Sequence, residues 1–360
     1  MKQRNIGMDS IGQSKMKSLV SSRRSSFTIA LVVVIAVGLA GVLLVLTRAS
    51  GFFASAEPEN GTLSGNALLV SDSSATSGKA IQFTAPLVIP PPTTGSGVCP
   101  AFPAFPDEKC TGYKHNGITV DQLTTDTTKC PQNLNVAGKT YDRCKFVNGV
   151  SVGASNVTIT NSLVLGRVNA PYTRTNLVLQ DVEIDGQNSD PNGQSGIGDY
   201  SYTCVRCDVH GTGRGAALGD DVIIKDSYFH DFYYVNGAHQ TAVGNNGAAH
   251  NQIIHNNLLC NSDGCSAALS LYGDFGQVND ILIQNNLFNT TGSFCTYAGG
   301  NETTKAYPNG TNIRYVDNVF GKKYHTGCGI YGPVSFWNAN STGNVWTGNI
   351  WQDGSGAVSP

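Results

Sequence analysis

Residues 251–290 read NQIIHNNLLCNSDGCSAALSLYGDFGQVNDILIQNNLFNT, and one pattern occurs in them twice. An aliphatic pair leads to a polar turn residue, often Asn, and an apolar residue follows five places on: NQIIHNNLLCN, then DILIQNNLFNT. Upstream the pattern returns as NVTITNSLVLG, NLVLQDVEIDG, YTCVRCDVHG and DVIIKDSYFHD, and downstream as NIRYVDNVFG and NVWTGNIWQD. Anchored at the inner apolar residue, the copies fall at Ile159, Leu179, Cys204, Ile224, Ile254, Ile283, Tyr315 and Trp346. A unit of roughly 20–32 residues cannot bury its apolar side alone, so stacked copies make a solenoid.

Composition agrees with an all-β chain. Only 13% of residues are charged, while Gly accounts for 42 of 360. That balance suits turn-rich strands rather than helices, whose exposed faces carry Lys, Glu and Ala. The net charge of −2 and the lack of a basic patch after Arg48 exclude nucleic acid as the expected partner.

The N-terminus is built differently. Residues 1–26 carry Lys2, Arg4, Lys15, Lys17, Arg23 and Arg24 against Asp9 alone, a basic cytoplasmic tail. Residues 27–47, FTIALVVVIAVGLAGVLLVLT, hold no charge and would span roughly 30 Å as a helix, about one hydrocarbon core. Basic residues before such a span keep the N-terminus inside, so everything after Arg48 is expected to be exported. The span reads as a membrane anchor, or as a signal cleaved after Ala56 at Ala54-Ser55-Ala56. Residues 48–84 then read as a short β module or stalk, and 85–98, with Pro90-Pro91-Pro92, as an extended linker. Residues 57–84 resemble the opening strands of carbohydrate-binding β-sandwich modules through Glu57, Glu59 and Ser77-Gly78-Lys79.

All ten cysteines lie between Cys99 and Cys328. An even number in an exported chain reads as disulfides. Cys295 and Cys328 stand about one coil apart and suit a clamp between neighbouring coils. Cys204/Cys207 and Cys260/Cys265 suit local loops, and Cys99/Cys110 and Cys130/Cys144 suit closure of an N-terminal cap. Zinc at Cys204 and Cys207 would need a second ligand pair that the spacing does not supply.

The expected architecture is a right-handed parallel β-helix of about eight to nine coils over residues 99–360, expected as a monomer, with 99–148 as cap and first coil. Turn positions are expected at Asn161, Asp181, Asp226, Asn256, Asn285 and Asp317, with Asn257, Asn286, Asn318 and Asn349 in the next slot. Stacked Asn side chains hydrogen-bond along such a column, and Asn tolerates the left-handed backbone of the turn. A third strand per coil falls at SGIGD, GAALGD, TAVGN, LSLYGD, CTYAGG and CGIYGP.

With these elements in place, the chain resembles the right-handed parallel β-helix superfamily that includes pectate lyases and related exported bacterial proteins acting on polysaccharide. The resemblance covers about residues 100–355. It includes a Tyr-x-x-x-Arg-x-Asp-x-His-Gly coil, here Tyr202 to Gly211, and a His-x-Asp-Gly-Ile-Gln strand that here reads His239-Gln240-Thr241-Ala242-Val243. Thr241 stands where that pattern has Asp. The resemblance implies an extracellular polysaccharide partner; the expected roles are lyase-like cleavage of an acidic glycan, non-catalytic glycan binding and adhesion, or a structural part at the cell surface.

Two side-chain sets carry candidate chemistry. Asp199, Asp220 and Asp274 each follow Gly in an apolar-Gly-Asp turn; in register they would form a carboxylate column able to bind calcium or glycan. Gly-Asp also simply makes turns, because Asp hydrogen-bonds its own backbone. Outward positions Arg214, His239, Thr241, Ser270, Tyr272, Thr296, Tyr297 and Tyr331 line the same face. For β-elimination a base must remove the proton beside a carboxylate while a cation offsets the developing charge. His239 with Tyr272, or Arg214 with Asp220, fits that template, with Tyr297 and Tyr331 as substrate-binding residues; hydrolysis would use two of the three carboxylates.

Overall fold

A computed structural model describes residues 67–71, 79–83, 98–189 and 192–360. The expected membrane span at 27–47, its basic tail and most of the stalk and linker lie outside these residues. Among the described residues no helix is long and apolar enough to cross a membrane. Two strands, β1 (Ala67–Ser71) and β2 (Lys79–Phe83), pair antiparallel as a hairpin of their own.

The remaining strands form three parallel sheets of nine strands each, stacked in register as a solenoid. Every third strand in the chain belongs to the same sheet. The first sheet runs from β3 (Asn133–Leu134) to β27 (Gly332–Ser335), the second from β4 (Thr140–Asp142) to β28 (Val345–Thr347), and the third from β5 (Lys145–Phe146) to β29 (Ile350–Trp351). This order is consistent with a right-handed parallel β-helix, the hand that parallel crossovers favour.

Each sheet contributes one column to the interior. In the second sheet Ile159, Leu179, Cys204, Ile224, Ile253, Ile283 and Tyr315 stack one above another, all fully buried. The third sheet supplies Val164, Ile184, Val209, Phe229, Leu258, Phe288 and Phe320. Burying each such side chain contributes about 1.5–3 kcal/mol. The inner residue of the fifth copy is Ile253, not Ile254, so that coil is displaced by one from the reading of the sequence.

The displacement follows from the turn. Asn161, Asp181, Arg206, Asp226, His255, Asn285 and Asp317 take the left-handed conformation between the second and third sheets. His255 holds that position in its coil, and Asn256 therefore drops into the next, buried slot. There Asn256, Asn286, Asn318 and Asn349 form one ladder. Each backbone N–H and each side-chain amide N–H donates to the Asn Oδ1 of the next coil at 2.9–3.0 Å. Ser162 and Ser227 occupy the same slot in earlier coils and accept from Cys144 N and Cys207 N through their hydroxyls.

Residues 98–132 form a strap along the solenoid rather than a lid on its end. The Ala104 carbonyl accepts from His255 Nε2 (2.9 Å) and the Pro106 carbonyl from Asn257 Nδ2 (3.1 Å). Gly112 N donates to Arg206 O, His115 meets Asp181 at 2.7 Å, and Asn116 Nδ2 donates to Asn161 Oδ1. Thr124 then pairs with Arg143 and Lys145 at the first strands. The segment thus descends past successive coils before entering the stack at Asn133, earlier than Val150. Disulfides join Cys99–Cys110, Cys130–Cys144, Cys204–Cys207, Cys260–Cys265 and Cys295–Cys328. Five such bridges place the protein in an oxidising compartment.

Candidate functional site

The first sheet presents its strands to an open groove of about 880 Å³. The groove reaches from β12 (Ser195–Asp199) through β15 (Arg214–Ala217), β18 (Gln240–Asn245), β21 (Cys265–Leu271) and β24 (Phe294–Ala298) to Phe336 beyond β27. At about 4.8 Å per strand this is roughly 24 Å along the solenoid axis. Small side chains in register, Ala217, Gly244 and Ser270, make the floor, which rises at Tyr297.

The two walls differ in charge because they arise from opposite ends of the strands. Arg214, His239 and Ser266 lie at the strand starts, with Ser266 Oγ 3.4 Å from His239 Nδ1. Asp199, Tyr272, Asp274, Glu302 and Lys305 lie past or near the strand ends. Lys305 Nζ is 2.8 Å from Asp274 Oδ1 and 4.7 Å from the centre of the Tyr272 ring. Both Glu302 and Lys305 come from the connection between β24 and β25 (Thr311–Val316). Tyr307 N donates to Gly273 O and anchors that connection on the Tyr272-Gly273-Asp274 turn. Gly273 is required there, since any Cβ would collide with the Tyr307 carbonyl.

Aromatic rings gather at the same wall. Tyr297 lies 5.1 Å from Tyr272, 5.5 Å from Phe294 and 5.7 Å from Phe336, the last in a stacked arrangement. Burial, the neighbouring Tyr297 and the Glu302 charge push the Tyr272 phenol far above its ordinary range. Tyr272 therefore stays protonated at neutral pH and can donate a hydrogen bond but not abstract a proton. Burial raises the Glu302 carboxyl too, and the Asp274 charge reinforces it against the opposing Lys305 charge.

His239, Arg214, Tyr272, Asp199, Asp274 and Tyr297 all line the groove. They do not form the pairs expected of them. Tyr272 aligns with Asn246, seven residues beyond His239 along the strand direction, a separation of roughly 20 Å. His239 and Tyr272 consequently face each other across the groove and cannot share one proton. Asp220 lies outside the lining and accepts from Ala249 N at 2.8 Å, a turn-making role that separates it from Arg214. Tyr331 is exposed beside the groove with its ring 5.9 Å from Phe294. Thr296 points inward, fully buried in the column of Leu269 and Val334.

The carboxylate column does not form. Asp199 is level with Leu218, and Asn245 with Leu271, so Asp220 and Asp274 fall two and three residues past that row. Coil length varies within the connections as well as between them, and equal motifs drift out of register. Among the described residues no group of three or more His, Cys, Asp or Glu side chains could hold a metal ion. The three Asp side chains do not fit the six to eight oxygen ligands calcium takes, and no step below runs through a metal.

The Tyr202–Gly211 motif lies elsewhere. Tyr202 is buried and donates to Ala217 O, while Arg206 makes two hydrogen bonds to Asp181 at 2.6 and 2.9 Å. Asp208 meets His230 at 2.8 Å and His210 meets Glu183 at 3.4 Å, under and beside the strap. These bonds brace neighbouring coils, and Asp181, Glu183 and the Arg206 carbonyl in turn hold His115, Lys114 and Gly112 of the strap, so the motif is structural here. Sequence reading missed Glu302, Lys305 and Phe336, which belong to connections without a repeat; for Glu302 and Lys305 the signal was the longer interval between Ile283 and Tyr315, and Phe336 had none. No family model matches the chain, and comparisons with curated proteins and with solved structures find no match.

Proposed function

We propose that this protein is an extracytoplasmic right-handed parallel β-helix, anchored through residues 27–47 and held out on its proline-rich linker, that binds a glycan chain along the groove of the first sheet. One observation carries the reading: the groove runs with the solenoid axis over a floor of small side chains and ends on the Tyr297 aromatic cluster. Rings of that kind offer flat apolar faces to sugar rings while the polar wall residues take up hydroxyl hydrogen bonds. The test is retention of the full-length protein, solubilised in mild detergent, on gels cast with a panel of polysaccharides. Migration unaltered by every polysaccharide would sink the reading.

Cleavage is the second reading, favoured by the unlike surroundings of two carboxyls on one wall. Glu302 is raised by burial, with Asp274 adding to it against Lys305, whereas Asp274 is ion-paired with Lys305 at 2.8 Å. A pair of carboxyls in different environments is the arrangement that divides acid from nucleophile or base in glycoside hydrolysis. In that role Glu302 would protonate the leaving oxygen and Asp274 would act on the anomeric side. New reducing ends without unsaturated products support hydrolysis, unsaturated products would support elimination instead, and retention without either leaves a binding protein.

A further inference from the structure

We infer that the groove selects a neutral glycan over a polyuronate, which deepens the glycan-binding reading and rests on it. The lining carries three carboxylates, Asp199, Asp274 and Glu302, against two permanent cations, Arg214 and Lys305. Lys305 is already engaged, 2.8 Å from Asp274 and over the Tyr272 ring. Arg214 stands at the far wall, level with Thr241 and four residues along the strand from the row of Asp199.

The aromatic cluster sits on the acidic side. A sugar stacked on Tyr297 has Tyr272 as neighbour, and beyond it Asp274 and Glu302. A neutral sugar brings hydroxyl donors there, and carboxylates accept hydrogen bonds from them. A polyuronate brings one negative charge per residue into the same space. Like charges so placed repel, and partial burial weakens solvent screening. Burial already raises the Glu302 carboxyl, with the Asp274 charge adding to it against the larger opposing charge of Lys305, so a further anion there meets a poorly solvated carboxyl. No metal-binding cluster among the described residues is available to bridge acid to acid.

The experiment compares the full-length, detergent-solubilised protein on soluble neutral β-glucan, xylan and galactomannan with polygalacturonate and alginate, at equal polymer concentration and moderate salt. The expected result is retention by at least one neutral polymer, tenfold or more tighter than by either polyuronate. Tyr297→Ala should weaken that retention about tenfold. Glu302→Lys, which puts a cation in place of a half-buried carboxylate of the groove, should raise polyuronate binding several-fold in the same assay. Tighter binding of a polyuronate by the unaltered protein would overturn the inference and leave the glycan-binding reading standing. Retention by none of the polymers overturns both. Neutral-glycan retention indifferent to Tyr297→Ala would also overturn it, because the rings would not be the contact.

Discussion

Arg206 grips Asp181 of the preceding coil with two hydrogen bonds, Nε to Oδ1 at 2.6 Å and Nη2 to Oδ2 at 2.9 Å. The same carboxylate meets His115 of the strap at 2.7 Å. Burial opposes ionisation of Asp181, but the His115 and Arg206 hydrogen bonds and charges outweigh it and lower its pKa. One buried anion thus ties two coils and the strap together. Removing one partner of a buried pair costs about 3–5 kcal/mol, whereas replacing both with apolar side chains is often near neutral. Arg206→Met should therefore destabilise the protein strongly in denaturant unfolding, and Arg206→Met with Asp181→Asn, which removes the stranded charge but keeps a side chain suited to the left-handed turn, should recover part of the loss. Equal destabilisation by the single and double variants would show that the ion pair is not the source.

The Asn ladder makes a second prediction. Asn286 Oδ1 accepts from both Asn256 N and Asn256 Nδ2, and its own amide donates to Ile253 O at 2.7 Å and to Asn318 Oδ1. Asn286→Ala leaves these buried groups unpaired, at about 1–3 kcal/mol each where no water reaches them. Asn286→Ser should cost less, since Ser227 at the equivalent position accepts the neighbouring N–H through its hydroxyl. Solenoids unfold locally, so backbone hydrogen exchange at Asn256 and Asn318 is the suitable measurement. Equal protection in the Ala and Ser variants would contradict the ladder's role.

These two cases show where the sequence is readable. The inner column is a matter of period, and Ile159, Leu179, Cys204, Ile224, Ile283, Tyr315 and Trp346 take the expected register. The slip at Ile253 occurs where two Ile residues precede His255 and two Asn residues, so the pattern fits two registers equally and the unexpected His in the left-handed slot decides. The groove is partly readable: alternation places His239, Tyr272 and Tyr297 on the first sheet's face, but not at which end of a strand. The strap is unreadable, because the Ala104–His255 contact joins residues 151 apart with no repeat linking them. Glu302 and Lys305 are hidden for the same reason, in a connection whose conformation depends on contacts with the neighbouring coil.

The histidines beside the strap predict a pH optimum. Burial lowers the His230 pKa, but the Asp208 hydrogen bond and charge and the Asp231 hydrogen bond outweigh it and leave it raised; His210, facing Glu183, Asp208 and Asp185, is raised likewise. Their stabilisation is full below the ordinary His value near 6.5 and is lost as pH rises through the folded-state values. Glu183 and Asp231 run the other way: burial opposes their ionisation, but hydrogen bonds from His210 and Lys114, and from His230 and Asn261, lower both. Their stabilisation is present above about pH 4.5 and lost as pH falls. Stability should peak between about pH 4.5 and 6.5. His230→Gln should flatten the alkaline limb in thermal unfolding across pH; an unaltered limb would refute the assignment.

Disulfide removal separates a clamp between coils from a local loop. Cys295–Cys328 joins residues 33 apart, and Cys204–Cys207 residues 3 apart, with all four side chains buried. Closing those loops in the unfolded chain removes entropy equivalent to about 3.7 and about 1.6 kcal/mol respectively. Replacing each pair with alanines creates similar small voids at both places, so the difference between the variants isolates the loop term. The Cys295→Ala/Cys328→Ala protein should lose about 2 kcal/mol more than Cys204→Ala/Cys207→Ala. Because Cys295 lies on β24 beside the Tyr297 cluster, the same variant should also lose glycan retention before global unfolding in a denaturant series. Parallel loss of retention in both variants would place the Cys295–Cys328 bridge outside the support of the groove.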